Sequence, residues 1–193
     1  MMEIKQEMSE MVEERDRSKN EMAMEFDAIS SNESFARVAV AAFITPLNPT
    51  IEELSDIKTA VSEAVTNAII HGYENIYGYE NIRGYENSRG YDRQGEIGAI
   101  HCKIREGKVY LRCRVERGVL YIEVEDKGVG IEDLERAMEP LYTSKPELER
   151  SGMGFAFMEA FMDDLEVESK PLCGTVVRMQ KKLCSGEWIH REE

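Results

Sequence analysis

Apolar residues recur along the chain first at strand spacing, then at helix spacing, then at strand spacing again. Met22, Met24 and Phe26 alternate with Ala23, Glu25 and Asp27, which predicts a strand from Met22. Phe35, Val38, Ala39, Ala42 and Phe43 fall on one stripe of a helix that Ser31 or Asn32 can cap and Pro46 stops. Thr50-Ile-Glu-Glu53 is a capping box. It opens a longer helix through Leu54, Ile57, Val61 and Ala64 to His71, with Gly72 expected as the residue just past its end. Val109, Leu111, Cys113 and Val115, then Leu120, Ile122 and Val124, alternate with polar neighbours on either side of Glu116-Arg-Gly118. That is the pattern of a hairpin buried on one face. A short helix from Glu132 to Met138 follows, closed by Pro140. A second helix begins at Gly152-Met-Gly154 with Phe155, Met158, Phe161 and Met162 on its stripe. Leu165–Ser169 and Thr175–Lys181 read as a closing hairpin, and Ile100–Ile104 as a short extra strand. This order predicts an α+β fold: a two-layer sandwich of helices on one face of a mixed, mostly antiparallel sheet.

The pattern also divides the chain. Residues 1–21 form a charged extension in which only Ile4, Met8, Met11 and Val12 keep helical spacing. Residues 22–182 form a single domain, and 183–193 a polar tail. Within the domain, 73–108 is an insertion. GYENIY, GYENIR, GYENSR and GYDRQG follow one another from Gly72 to Gly95 before the extra strand-like piece. Units this short and polar cannot bury a core of their own. They read as tandem duplication of the sequence after the helix, forming either a plain loop or a tyrosine-bearing arm that binds something.

At 193 residues, 42% of them hydrophobic, the chain suits one well-buried domain. No apolar run is long enough to cross a bilayer, and the N-terminus lacks the apolar core of a signal peptide; a cytoplasmic protein without membrane contact is expected. Four cysteines and three histidines show no zinc-ligand spacing, so free thiols are expected. The net charge of −14 argues against a nucleic-acid surface and favours protein partners with basic patches. Any phosphate bound here must be held by local devices.

Four stretches offer such devices. Glu63 and Asn67, at i and i+4, project from one helix face. They are either a solvated pair or an amide that ligates a hard cation beside a carboxylate that takes a proton. Asp126-Lys-Gly-Val-Gly130 ends a buried strand. It is a tight turn, or a carboxylate placed to accept from an exocyclic amine while two glycines admit a flat ring. Arg150-Ser-Gly152-Met-Gly154 precedes a helix whose first amides suit an anion. Gly174-Thr175 opens the last strand, as a hairpin turn or as a hydroxyl reaching the same base as Asp126.

Taken in order, these stretches resemble the N, G1, G2 and G3 boxes of the gyrase, chaperone, histidine-kinase and MutL-type ATP-binding superfamily, with its Bergerat-type fold. NESFARVAVAAF (32–43), IKTAVSEAVTNAIIHGY (57–73), DKGVGI (126–131) and PLYTSKPELERSGMGF (140–155) further resemble the family of anti-sigma F factors, serine kinases of sporulating bacteria. The resemblance spans about Met22 to Lys182; the repeats and the N-terminal extension depart from it. It implies ATP or ADP with Mg²⁺ as cofactors, Asn67 as metal ligand and Glu63 as general base. Asp126 and Thr175 would read adenine, and Gly128, Gly130, Gly152 and Gly154 would shape the pocket. Segment 141–152 would be a lid carrying Lys145 and Arg150 as phosphate cations. Glu33 and Arg37 match positions implicated in gripping the sigma factor. The implied partners are a sigma factor, an anti-anti-sigma factor phosphorylated on serine, and a second copy of the chain joined through the first helix and strand. A nucleotide-sensing module that sequesters its partner without chemistry is the alternative. A sensor histidine kinase fits less well, because no histidine precedes His71.

Overall fold

A computed structural model of the chain describes residues 19–74, 107–139 and 152–184. The N-terminal extension before Lys19, the repeats from residue 75, the Ile100–Ile104 strand, and Lys145 and Arg150 lie outside the described residues. Strand β1 (Lys19–Asp27) leads to helix α1 (Ser31–Ile44), a 3₁₀ turn (Thr45–Leu47) and helix α2 (Ile51–Asn67). A π-helical turn (Ala68–Glu74) prolongs α2. Strands β2 (Lys108–Glu116) and β3 (Val119–Asp126), helices α3 (Leu134–Ala137) and α4 (Gly154–Phe161), and strands β4 (Asp164–Lys170) and β5 (Gly174–Lys182) complete the order.

The strands form one five-stranded sheet in the order β1-β2-β3-β5-β4, and every described pairing is antiparallel. Period-2 alternation sends Leu111, Ile122, Val124 and Met179 to one face, where they are buried. Val40 and Ile44 of α1, Ile57, Val61 and Val65 of α2, and Met158 of α4 close over them. The other face carries a charged ladder: Arg112 pairs with Glu123, and Arg178 bridges Glu123 and Glu168 at 2.9 Å. The expected α+β two-layer arrangement is thus present. Among the described residues no helix is long and apolar enough to cross a membrane.

The capping box forms in full. Glu53 N–H donates to Thr50 Oγ1 at 3.1 Å, and Thr50 N–H to Glu53 Oε2 at 2.7 Å. Cys184 N–H also donates to Glu53 Oε1, at 2.7 Å, so the chain just past β5 is tied to the start of α2. Burial works to raise the Glu53 pKa, but these amides outweigh it and hold the carboxyl below its ordinary value.

Four local expectations are corrected. Strand β1 begins at Lys19, three residues before Met22. Ser30 occupies the cap position of α1 and makes no side-chain cap; the Asn32 amide instead donates to Asp27 O at 2.8 Å. The face of α1 that meets the sheet is Ala36, Val40 and Ile44, while Phe35 and Val38 stay 54% and 62% exposed. So many positions of α1 are apolar that periodicity does not select one face. Finally, α2 ends at Asn67 in a widened π turn, and Gly72 is not among the positive-φ glycines. Proximity explains it instead: a Cβ at Gly72 would stand 2.9 Å from Asp126 Oδ1.

Candidate functional site

A cleft of ≈ 1050 Å³ opens between α2 with its π turn, the turn after β3, and the start of α4. Its lining includes Glu63, Asn67, Asp126, Gly130, Gly152, Gly154 and Thr175, with Val124 and Val177 among the apolar residues. That volume is ample for a small organic ligand such as a nucleotide. Each of the four sequence stretches is separated from the next by nineteen residues or more. They meet because β3 and β5 are neighbours and α4 packs on α2.

Glu63 and Asn67, one helical turn apart, reach the cleft at the start of α4. A Cβ on Gly154 would lie 3.1 Å from Glu63 Oε2, 3.3 Å from Asn67 Nδ2 and 3.5 Å from Asn67 Oδ1. Glycine therefore lets the first turn of α4, with its outward amides, stand directly beside both side chains. Gly152, at φ +65°, makes the bend that aims this turn.

Asp126 closes β3 and is only 4% exposed. Gly128 N–H donates to its Oδ1 at 2.8 Å. Burial pushes its pKa up to about 6, with Glu125 adding to the rise and the amides of Gly128 and Thr175 pulling against it. The turn that follows is held from two sides. Val129 N–H donates to Gly72 O at 3.1 Å, and Leu172 N–H donates to Val129 O at 2.7 Å. Gly128 does not face the cleft. It rests on the π turn, where an added Cβ would come within 2.7 Å of Gly72 Cα.

Thr175 is the cross-strand partner of Asp126 on β5, and Ser169 is the partner of Thr175 on β4. The Ser169 and Thr175 hydroxyls are 2.9 Å apart. Glu33 and Arg37 sit elsewhere, in a groove between α1 and α2. Ser62 Oγ donates to Glu33 Oε1 at 2.9 Å and accepts from Arg37 at 3.1 Å. That groove shares Glu63 and Thr66 with the cleft, so the two meet along one side of α2.

The donor set fits a nucleotide-borne magnesium ion. Among the described residues there is no group of three or more His, Cys, Asp or Glu side chains that would cage an ion. Mg²⁺ ordinarily takes one or two protein oxygens and fills its shell from phosphates and water. The Asn67 amide beside Glu63, in the space that Gly154 leaves open, provides such a position.

Residues 31–181 match the family model described as histidine kinase-like ATPase domain. The anti-sigma F factor of Bacillus subtilis is 52% identical over 165 residues, covering 86% of this chain and 94% of that protein. The anti-sigma F factor of Clostridium novyi is 53% identical over 170 residues, covering 88% of this chain and 99% of that protein. The chain belongs to the anti-sigma F factor family. A structure of the RsbU and RsbW domains of Rv1364c from Mycobacterium tuberculosis superposes with a TM-score of 0.50 at 15% identity. It covers 85% of this chain and 32% of that longer one, and bears on the fold alone.

Two side chains outside the four stretches, Tyr73 and Ser169, also support the site of this anti-sigma F family member. Tyr73 is 2% exposed. Its hydroxyl accepts from Lys127 N–H at 2.7 Å and donates to Lys108 O at 2.8 Å, pinning the turn after Asp126. A tyrosine inside a polar repeat gave no sign of this. Ser169 was more legible: it follows Leu165 and Val167 on the inward positions of β4, a polar residue where an apolar one is the rule.

Proposed function

We propose that the chain is an ATP-dependent anti-sigma factor that holds a sigma factor and phosphorylates a serine of an anti-anti-sigma protein, in a cytoplasmic setting. The carrying observation is the meeting of Glu63 and Asn67 with Asp126 and Thr175 around one cleft. The family's own name supports the sigma-factor partner.

In this reading the Asp126 carboxylate accepts from the exocyclic amine of adenine, with the Thr175 hydroxyl beside it. Gly130 and Gly152 leave room for the ring and the ribose-phosphate. Gly128 shapes the pocket at one remove, by seating the turn on Gly72. The first amides of α4 face the phosphates, and Lys145 and Arg150 are the cations proposed to join them. Asn67 would hold the ion together with the nucleotide phosphates, and the ion when bound would neutralise charge on the transferring group. Glu63 takes the proton of the attacking serine hydroxyl as its oxygen bonds to the γ-phosphorus and the bond to ADP breaks. Phosphoryl transfer asks mainly for such positioning and charge neutralisation.

Glu33 and Arg37, locked together by Ser62, are the proposed partner-facing pair. A second copy is proposed to meet α1 and edge strand β1, where Phe35 and Val38 leave an apolar face exposed.

The test is Glu63→Gln, assayed with labelled ATP and the anti-anti-sigma protein. Nucleotide binding should persist while transfer falls by roughly 10²–10⁴-fold, the usual contribution of a positioned base. Transfer at the parent rate would remove Glu63 from its role. No transfer by the parent, with ATP-dependent partner capture intact, would favour the sequestering module without chemistry.

A further inference from the structure

The inward row across β3, β5 and β4 consists of Asp126, Thr175 and Ser169, each the register partner of the next. Only Asp126 and Thr175 reach the cleft. Ser169 stands behind Thr175 with three neighbours on a single hydroxyl. Ile131 N–H donates to Ser169 Oγ at 2.8 Å, Gly174 O lies 3.1 Å away, and Thr175 Oγ1 lies 2.9 Å away.

A hydroxyl has one proton and two lone pairs. Ile131 N–H occupies one lone pair of Ser169. Gly174 O is an acceptor only, so it takes the Ser169 proton. One lone pair remains for Thr175, which must then donate its own proton to Ser169. This is the one assignment that satisfies all three neighbours, and it spends the Thr175 proton away from the cleft. What Thr175 then shows the ligand is a lone pair.

From this hydrogen-bond geometry we infer that Ser169 is a specificity-determining positioning residue: it fixes Thr175 as an acceptor, so that the base end of the cleft presents two acceptors side by side. An amino group has two N–H donors and matches that pair. An oxo group at the same ring position has none, and would face two oxygens. The inference rests on the proposed nucleotide reading and deepens it: the site selects a 6-amino purine over a 6-oxo purine, and Ser169, without touching the base, supplies part of that selection.

The test compares ADP with inosine diphosphate, which carries oxygen at C6, by calorimetry on the full chain with magnesium. Parent protein should prefer ADP. In Ser169→Ala the Thr175 proton is released and can turn toward the oxo group. Inosine diphosphate should bind more tightly than to parent, and the ADP preference should shrink roughly tenfold, the worth of about one neutral hydrogen bond. Ser169→Thr keeps a hydroxyl and should restore the parent ratio. A merely structural loss would weaken both nucleotides together, and that result, or an unchanged ratio, overturns the inference. Should Ser169→Ala fail to fold, Thr175→Val decides it. Removing the acceptor must reduce the ADP preference, and an unaltered ratio sinks the inference equally. Parent protein that binds neither nucleotide would remove the underlying reading, whereas ADP binding with an unaltered ratio in Ser169→Ala overturns the Ser169 inference alone.

Discussion

The Tyr73 hydroxyl donates to the carbonyl of Lys108 at 2.8 Å, across 35 residues of chain. The same ring packs on Gly107, where an added Cβ would come 2.8 Å from Tyr73 Cγ. Gly107 O in turn accepts from Ala28 N–H at 2.8 Å. Tyr73 and Gly107 therefore meet at one pinned point beside β1, and neither of the two lines the cleft. Loop-closure entropy depends only weakly on length, about 0.6 kcal/mol per doubling. Deleting Glu74–Tyr91, which keeps Tyr73, should thus leave ADP affinity within about twofold and stability within ~1 kcal/mol. Calorimetry and urea unfolding read both; a large loss of affinity would show that the repeats shape the pocket.

Tyr73→Phe isolates the clamp itself. The ring stays while Lys108 O and Lys127 N–H lose their shared partner. Leaving such groups unpaired costs about 1–3 kcal/mol. Urea unfolding should show that loss with an unchanged denaturant slope, since the surface buried is the same. Because Lys127 directly follows Asp126, ADP affinity should fall as well. Parent-like stability would mean that water replaces the hydroxyl without cost.

Much of the fold is legible in the chain itself. The β2–β3 hairpin is written in strict alternation, and Thr50 with Glu53 spells a cap that forms as read. The four stretches were each visible, yet their meeting depends on β5 inserting between β3 and β4, which local patterns do not encode. Gly72 shows the limit most clearly. Its position after a helical stripe suggested a left-handed cap, whereas it is glycine because the Asp126 carboxylate lies against it, a contact across 54 residues. The face of α1 was illegible for the opposite reason, an excess of apolar residues.

Asp126 sets stability against recognition. An exposed aspartate titrates near 3.8, and this one at about 6. Between those values the folded chain carries the extra proton, so this group's contribution to stability is complete below about pH 3.8. It is lost as pH rises through about 6, and the difference reaches about 3 kcal/mol at neutral pH. Asp126→Asn removes the buried charge and keeps an oxygen for Gly128 N–H. In urea unfolding at pH 7.5 without nucleotide it should be more stable than parent, by at most about 3 kcal/mol, with the gap closing toward pH 4. Nucleotide binding should move the other way. Parent affinity for ADP should weaken as pH falls through about 6, while the variant binds poorly and without that pH dependence. A variant less stable than parent at pH 7.5 would contradict the burial-driven shift.

Gly154→Ala separates chemistry from folding. Position 154 opens α4 and is not a positive-φ glycine, so alanine suits the helix and should add up to about 1 kcal/mol of stability. Its methyl group, however, would stand 3.1 Å from Glu63 Oε2 and 3.3 Å from Asn67 Nδ2. Those side chains must give way by a few tenths of an ångström, and a small misplacement of reacting groups is costly to rate. Serine phosphorylation should drop by about 10–100-fold, with the melting temperature equal to or above that of parent and the Asp126 end of the cleft untouched. ADP affinity without magnesium should therefore hold, while the magnesium-dependent gain in affinity shrinks. Full transfer activity in this variant would mean that neither Glu63 nor Asn67 works from the position it takes beside Gly154.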